Sequence, residues 1–307
     1  MTFGSGWPGR SGCWTSGLFF SHVSLFLVLS DDGAYSCEMP DFLEVVFLGS
    51  GTSHGIPMIG CSCPVCRSED PRDRRFRTSV AIRLLRDEDA PPSVIVIDTG
   101  PEFRLAAIEQ NLERVDAVLF THGHADHIMG LDDIRRYNAI VGDTIPCYCS
   151  QSTAESIRRC FGYAQRPFSG GDRPSITINV IDGPTRVLDI DITPVPLLHD
   201  KDEIFGFRIG DFAYCTDCSE IPPTSMDMLR DLDVLVLDAL RLRPHPGHFN
   251  LSQALDAAAM LKAGRTYFTH IAHELGHKEI SSKLPPRVEL AYDGLKIITS
   301  VPKSHIN

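Results

Sequence analysis

The sequence predicts a single α/β domain over residues 39–307, with mixed β-sheets and covering helices. From residue 42 onward, short apolar runs rich in β-branched residues alternate with segments of helical periodicity, and no linker divides them. The chain is 43% hydrophobic and 22% charged, an ordinary globular balance that can bury a full core. Sheets and helices bury their apolar faces against each other, so a layered α/β architecture follows.

The first predicted strand of the domain lies at residues 43–48, and further strands follow at apolar runs bounded by turn residues. These strands lie at residues 79–84, 94–97, 117–120, 146–149, 176–181, 190–194, 204–209, 212–215, 234–237 and 266–268. The predicted helices lie at residues 102–111, 130–137, 152–161, 225–231 and 252–263. For the last helix we expect Ser252 at the N-cap and Gly264 at C′, because these residue types favour those positions.

The first 38 residues differ in character from the rest of the chain. They combine a Gly-rich start, a Ser-interrupted apolar run at residues 18–29 and a polar stretch. The apolar run is too short for a helix that spans a bilayer, and the features of a secretory signal are weak. Met39 immediately precedes the first convincing strand. We therefore expect Met39 to be the natural start, and residues 1–38 to be a disordered or non-native extension.

Charge and cysteine usage exclude several classes of partner. The formal net charge of -11 argues against a broad electrostatic surface for nucleic acid or for a membrane. Ten cysteines in 307 residues are too few for a disulfide scaffold, and their clustering suits metal binding or buried thiols in a reducing compartment. We expect a cytoplasmic protein that acts on a small molecule; its oligomeric state stays open, with a homodimer as one alternative.

The segment Thr121–His127 concentrates chemistry in a few residues. It carries three imidazoles and one carboxylate directly after an apolar run at residues 115–120. A strand that ends in a loop can direct several side chains toward one point, and imidazole with carboxylate suits Zn, Mn or Fe. The competing interpretation is a polar surface loop, but three histidines within six residues make that improbable.

Three more candidate ligands occupy the same kind of position, at the end of an apolar run. They are His199, Asp217 and His270. The carboxyl edge of a sheet is where α/β proteins place their sites. Each residue alone is weak, since an isolated His or Asp after a strand is more often a capping or surface residue. Their joint occurrence, in this order, is what makes the pattern specific.

In this combination the chain resembles the metallo-β-lactamase superfamily, whose pattern is His-X-His-X-Asp-His followed by His, Asp and His. The resemblance implies an αββα sandwich of two mixed sheets flanked by helices. It further implies two divalent ions that share a bridging hydroxide, an arrangement suited to hydrolysis. The implied ligands are His122, His124 and His199 for one ion, Asp126, His127 and His270 for the other, and Asp217 as the bridge between them.

A second metal centre is predicted at Cys61, Cys63 and Cys66. Three thiolates within six residues can surround one tetrahedral structural zinc ion, and a fourth ligand must come from elsewhere. His273 is the best candidate because it follows the candidate ligand His270 by three residues, and His277 is the alternative. The competing interpretation is a run of buried or oxidisable thiols. Cys215 and Cys218, which flank Asp217, are expected to be buried thiols.

The cysteine cluster, the preceding segment at residues 49–57 and the Arg-rich segment at residues 70–79 are together similar to the PhnP-type cyclic phosphodiesterases. That resemblance covers about residues 42–280. It implies hydrolysis of a small, cyclic phosphodiester, with Mn or Zn at the dinuclear site and a separate structural zinc. His248 matches the additional histidine of that family, which implies a role in protonating the leaving oxygen or in stabilising the transition state. Asp126 is the second residue that we expect to act in catalysis.

The Arg-rich segment is the dense basic run of the sequence, and guanidinium groups match phosphate oxygens in bidentate geometry. From this segment we expect Arg72, Arg75 and Ser79 to bind substrate. The alternative is a loop of salt bridges to the acidic residues nearby, with a structural role for most of the arginines.

Three other functions remain open from the sequence. A tRNase Z-like enzyme shares the dinuclear motif and cuts RNA, but it usually adds a basic arm, and an acidic chain binds polyanions poorly. A PqqB-like protein of cofactor biosynthesis shares the fold and a Cys-rich zinc site. A zinc-stabilised scaffold with an inactive site is the third; about one metal ion per chain would indicate it, against about three for the enzyme.

Overall fold

The computed structural model describes residues 27–29, 35–37, 41–85, 91–170 and 173–301. The chain divides into two compact units, residues 1–39 and 40–307. In the first unit, the short strands β1 (Leu27–Leu29) and β2 (Tyr35–Cys37) pair antiparallel. The expectation of a disordered or non-native extension at residues 1–38 falls mostly on residues outside the described ranges.

The second unit contains two β-sheets, each with seven described strands. In chain order the strands are β3 (Asp41–Gly49), β4 (Ser79–Leu85), β5 (Ser93–Ile97), β6 (Ala117–Leu119), β7 (Ile145–Cys149), β8 (Ile176–Val180), β9 (Thr185–Val187), β10 (Ile190–His199), β11 (Asp202–Ile209), β12 (Phe212–Cys215), β13 (Val234–Asp238), β14 (Arg265–Thr269), β15 (Val288–Leu290) and β16 (Lys296–Val301).

The two sheets share one plan. The first sheet runs β16-β3-β4-β5-β6-β7-β8, and the second runs β15-β14-β13-β12-β11-β10-β9. In the first sheet, β16, β3, β4 and β5 are joined antiparallel, and β5 to β8 are joined parallel. In the second sheet, β9 to β12 are antiparallel, and β12 to β15 are parallel. Both sheets are therefore mixed, as predicted.

Helices cover the outer face of each sheet. They are α1 (Phe103–Glu109), α2 (Ala125–Ile128), α3 (Ile134–Val141), α4 (Gln151–Phe161), α5 (Pro223–Met228), α6 (Leu251–Leu261) and α7 (His277–Ser281). One apolar core lies between the sheets, with side chains such as Phe47 and Phe207. A second core joins α1, α3 and α4 to the first sheet, and a third joins α5, α6 and α7 to the second sheet. These four layers are the predicted αββα sandwich.

The predicted strands and helices are present, with shifted ends. Within the second unit, the described strands that the sequence patterns did not indicate are β9, β15 and β16. β9 and β15 have only three residues each, which is too few to show an alternating pattern. β16 is half exposed along its length and is held by its antiparallel pairing with β3, so its assignment depends on a partner that lies far away in the chain.

The helix α6 begins and ends at other residues than expected. Its N-cap is Asn250, whose side chain accepts from the backbone of Gln253 (2.9 Å), while the Gln253 side chain accepts from the backbone of Asn250 (3.0 Å). This reciprocal capping box displaces Ser252 into the first turn. At the other end Lys262, not Gly264, has the left-handed backbone (φ 53°) that terminates the helix. No helix among the described residues is long and apolar enough to cross a membrane.

Candidate metal centres

The candidate ligands lie where strands end. After β6, the loop that leads into α2 supplies His122 and His124, and the short helix α2 itself supplies Asp126 and His127. In the second sheet, His199 is the last residue of β10, Asp217 follows β12 by two residues and His270 directly follows β14. Both sheets thus contribute side chains to one site, which we call the dinuclear site.

The structure brings all seven predicted side chains together. Two sets each have donor atoms within 4.8 Å of one another: His122, His124 and His199 form one, and Asp126, His127, Asp217 and His270 form the other. The Asp217 carboxylate lies between the sets. Its Oδ1 is 3.3 Å from Nε2 of His127, and its Oδ2 is 3.2 Å from Nε2 of His270 and 4.0 Å from Nε2 of His122. This is the central position expected of a bridging ligand.

The donor atoms suit two divalent ions. The Nε2 atoms of His122, His127 and His270 are buried and have no hydrogen-bond partner, although buried polar atoms are normally satisfied. Burial opposes a charge on His127, but Asp217, Asp98 and Asp126 outweigh it and raise the pKa of this imidazole. A site that favours positive charge and presents bare imidazole nitrogens fits Zn or Mn. Metal binding by these residues stays a prediction.

Two of the candidate imidazole ligands are held in place at Nδ1, one by a side chain and one by a backbone carbonyl. Asp98 Oδ2 lies 2.8 Å from Nδ1 of His127, and Asp98 itself accepts from the backbone and hydroxyl of Thr121 (2.9 and 2.8 Å). The Gly247 carbonyl lies 2.6 Å from Nδ1 of His199. Such partners fix the ring so that Nε2 faces the metal. Asp98 was not predicted, although its place directly after the strand β5 matches that of the other ligands.

His248 lies beside the dinuclear site, as predicted. One of its ring nitrogens is within 4.8 Å of donor atoms of both His199 and Asp217. Its ring stacks on His270 with centroids 4.6 Å apart, and its Nδ1 is 3.4 Å from Oδ1 of Asp238. Burial lowers the pKa of His248 and raises that of Asp238. Asp238, the last residue of β13, was also missed by the sequence analysis.

Several of the residues at these strand ends have a left-handed backbone. The φ angles are 64° at Asp98, 55° at Asp217 and 59° at His270. Non-glycine residues rarely adopt this conformation, and such strain clusters at functional sites where the surroundings enforce it. Here the turn after each strand places the side chains of Asp217 and His270 in the dinuclear site and that of Asp98 against His127.

The cysteine cluster and His273 also meet. Nδ1 of His273 lies 3.2, 3.5 and 3.7 Å from the sulfurs of Cys61, Cys63 and Cys66, respectively. We call this group the Cys₃His site; four donors so placed match a tetrahedral zinc ion. The alternative ligand His277 is not in this group. Cys215 and Cys218 are buried free thiols whose pKa values are raised by burial, as expected of inert cysteines.

The predicted substrate-binding residues are placed differently from our expectation. Arg75 is buried, and its guanidinium donates to Asp73 and to backbone carbonyls. Ser79 is also buried and donates to the Asp98 carbonyl (2.8 Å). Arg72 is exposed and forms a bidentate pair with Asp70 (2.9 and 2.7 Å). Because internal partners occupy these groups, Arg75 and Ser79 are structural, which corrects the expectation of substrate contact.

Comparison with known proteins agrees with the fold and with the site. Residues 94–271, more than half of the chain, match the model of the beta-lactamase superfamily domain. The chain is 35% identical over 260 residues to an octanoyltransferase of Porphyromonas gingivalis. That match covers 83% of this chain and 51% of the relative, so the chain spans about half the length of that protein.

Solved structures of similar chains have the same fold. A diphosphatase from the PhnP family is 41% identical, with a TM-score of 0.77, and the match covers 85% of this chain and 98% of the other. The Zn²⁺-bound PqqB of Methylobacterium extorquens is 18% identical, with a TM-score of 0.67 over 83% of this chain and 99% of PqqB; it supports the fold alone. The chain is therefore a member of the metallo-β-lactamase superfamily.

Proposed function

We propose that the protein is a metal-dependent phosphodiesterase that hydrolyses a small, cyclic phosphodiester. The observation that carries the proposal is the convergence of seven His and Asp side chains with His248 at one edge of the two sheets. The likeness to a PhnP-family diphosphatase supports chemistry at phosphorus. The acidic net charge of -11 favours a small substrate over a long polyanion such as RNA.

Three metal ions per chain belong to this proposal: two of Mn or Zn at the dinuclear site and one structural zinc at the Cys₃His site. Two divalent ions would activate the attacking nucleophile and neutralise charge on the phosphoryl oxygens. The ligand types do not separate Mn from Zn, because sites of this kind often select by availability.

Within the chain, His248 is the proposed proton donor to the leaving oxygen. Its ring is positioned by stacking on His270, with centroids 4.6 Å apart, and its Nδ1 lies 3.4 Å from Oδ1 of Asp238 without a hydrogen bond. Asp238 Oδ2 in turn accepts from the Phe249 backbone at 3.0 Å, so the carboxyl is fixed in position. General acid catalysis needs a donor held in this way near the reacting oxygen. Asp126, whose side chain is 15% exposed, is the second proposed catalytic residue.

Hydrolysis of a diphosphate bond is the second candidate, because the structurally similar PhnP-family protein is a diphosphatase. Both reactions attack phosphorus and differ in the leaving group. The octanoyltransferase name describes a protein of which this chain matches about half, so we do not extend acyl transfer to this chain. A reducing compartment such as the cytoplasm suits the free thiols among the described residues.

A panel assay on protein reconstituted with Mn or Zn tests the assignment. The substrates are bis(p-nitrophenyl) phosphate, a 2′,3′-cyclic nucleotide and a nucleoside diphosphate sugar. We expect ring opening of the cyclic nucleotide to a monoester. Cleavage of the diphosphate sugar alone would transfer the assignment to the second candidate. Absence of turnover on every substrate, with any divalent metal, would refute both.

A further inference from the structure

We propose that Arg75 and Asp73 couple the dinuclear site to the Cys₃His site by fixing the segment that supplies a ligand to each. We call residues 270–277 the linking segment. It begins with His270 of the dinuclear site and carries His273 of the Cys₃His site three residues later. The proposal concerns metal binding and does not depend on which substrate the enzyme hydrolyses.

The start of the linking segment is held by backbone hydrogen bonds. The Ile271 N–H donates to the Ser50 carbonyl (2.9 Å), and the Ile271 carbonyl accepts from the Thr52 N–H (3.2 Å). The Ala272 N–H donates to the Leu240 carbonyl (2.8 Å). These bonds hold residues 271 and 272, which lie between the two candidate histidine ligands, in one backbone conformation. The positions of His270 and His273 therefore depend on the same short stretch of chain.

The guanidinium of Arg75 binds the part of the linking segment that surrounds His273. Its Nη2 donates to the Leu275 carbonyl (2.9 Å), and its Nη1 donates to the Ala272 carbonyl (3.4 Å). These two carbonyls flank His273 in the chain. Because the side chain of Arg75 is fully buried and a guanidinium cannot lose its proton, the charge must keep these partners. The position of His273 is thus tied to Arg75.

Asp73 binds both Arg75 and the linking segment through one carboxylate oxygen. Its Oδ1 accepts from Nη2 of Arg75 (3.0 Å) and from the His277 N–H (2.8 Å). A buried guanidinium without an acidic partner would be strongly unfavourable, so the Arg75–Asp73 pair acts as a unit. It binds the segment at residues 272, 275 and 277.

The backbone of Arg75 is hydrogen-bonded to the segment that leads to the cysteines. Arg75 and Ile56 exchange both backbone hydrogen bonds (2.8 and 2.9 Å), and the loop that follows Ile56 leads to Cys61. The Met58 N–H in that loop donates to the sulfur of Cys66 (3.4 Å). Arg75 therefore joins the loop that carries the thiolates to the segment that carries His273 and His270.

This arrangement has a thermodynamic consequence. Zinc at the Cys₃His site would hold His273, and with it the linking segment and His270. Occupancy of one site then favours binding at the other, and the effect must be reciprocal. Arg75 and Asp73 are positioning residues in this sense, because neither belongs to the groups of candidate ligands at the two sites.

The test measures metal binding in three full-length variants. Cys61→Ser/Cys63→Ser removes two thiolates, Arg75→Lys keeps the charge but loses the fork of donors, and Arg74→Lys is the control at an exposed neighbour. Metal content is measured by mass spectrometry, and Mn²⁺ affinity at the dinuclear site by titration with electron paramagnetic resonance. Circular dichroism checks the fold.

We expect the double cysteine variant to lose one zinc ion and to bind the second Mn²⁺ about 5- to 150-fold more weakly, the usual range for coupled sites. Arg75→Lys should weaken both centres together, and Arg74→Lys neither. Loss of zinc with both Mn²⁺ affinities unchanged would overturn the proposal, and so would retention of the zinc without the two thiolates. If Arg75→Lys does not fold, the cysteine variant alone decides between these outcomes.

Discussion

At the scale of single residues, the site depends on which atoms lack a protein partner and which have one. The bare Nε2 atoms of His122, His127 and His270 contrast with the paired Nδ1 atoms of His127 and His199. Each of these paired imidazoles therefore has one nitrogen fixed by the protein and one directed into the site. His248 differs from them, because its Nδ1 lies 3.4 Å from Oδ1 of Asp238 without a hydrogen bond, and its ring lies beside the seven candidate ligands.

Replacement of His248 by Ala tests its role as proton donor. We expect kcat on a phosphodiester with a poor leaving group to fall by about 10²–10⁴, the usual contribution of a general acid. Metal content should stay constant, because the seven ligands remain. Turnover and bound metal are measured on the same preparation, and a parallel loss of metal would show that His248 is a ligand instead.

Replacement of Asp98 by Asn tests the support of a ligand from behind. The amide keeps the size of the side chain but cannot accept at both oxygens from Thr121 and from His127. We expect the affinity of the dinuclear site for Mn²⁺ to fall by about 10–100-fold. Competition with a chelator measures this change. An unchanged affinity would mean that the Asp98 contact does not orient His127.

At the scale of elements, the strand ends and their loops decide which side chains meet. The loop at residues 245–248 is an example, because it brings His248 to the dinuclear site and places Gly247 next to the His199 ring. A Cβ atom on Gly247 would lie 2.9 Å from Cε1 of His199, which is closer than real contacts allow. The absence of a side chain at Gly247 is thus what permits its carbonyl to approach the His199 ring.

Replacement of Gly247 by Ala should therefore displace His199 and weaken the ion predicted at His122, His124 and His199. We expect fewer than two ions at the dinuclear site and a retained structural zinc, as measured by mass spectrometry. Gly183→Ala is the control, because a Cβ atom there meets nothing within 4 Å. Full metal content in Gly247→Ala would contradict the close packing described here.

At the scale of the whole molecule, the two sheets hold the ligands in one site only while they stay packed. The core between them contains Phe207 from β11 and Phe47 from β3, both fully buried. His122 and His127 come from the first sheet, whereas Asp217 and His270 come from the second. Metal binding and sheet packing therefore stabilise each other, since bound ligands favour the folded state.

Replacement of Phe207 by Ala leaves a cavity in this core. We expect the free energy of unfolding to fall by about 3–5 kcal/mol, the usual effect of removing a buried Phe side chain. Ile298, on the partly exposed strand β16, is 44% exposed. Ile298→Ala should change the free energy of unfolding by less than about 0.5 kcal/mol. Urea denaturation of the metal-loaded proteins measures both; equal effects would contradict the assignment of Phe207 to the core.

Much of the fold and most of the site could be predicted from the sequence. The apolar runs gave the strand positions because burial on both faces produces continuous apolar segments, as in β13. The seven ligands were identifiable by residue type and by their place after strands. The short strands β9 and β15 and the caps of α6 were not, since too few residues or competing local hydrogen bonds determine them.

The sequence by itself determined the α/β layers, the types of the candidate ligands and the cluster of three cysteines, because these follow from local patterns. The choice of His273 over His277 as the fourth donor needed the structure, because both histidines lie far from the cysteines in the chain. Only the tertiary structure decided the roles of Asp98, Asp238 and Arg75. An Asp after a strand or an Arg in a basic run has the same local appearance whether it binds substrate or supports a ligand. The difference lies in contacts across the chain, such as Arg75 with the Leu275 carbonyl. Packing of distant segments creates these contacts.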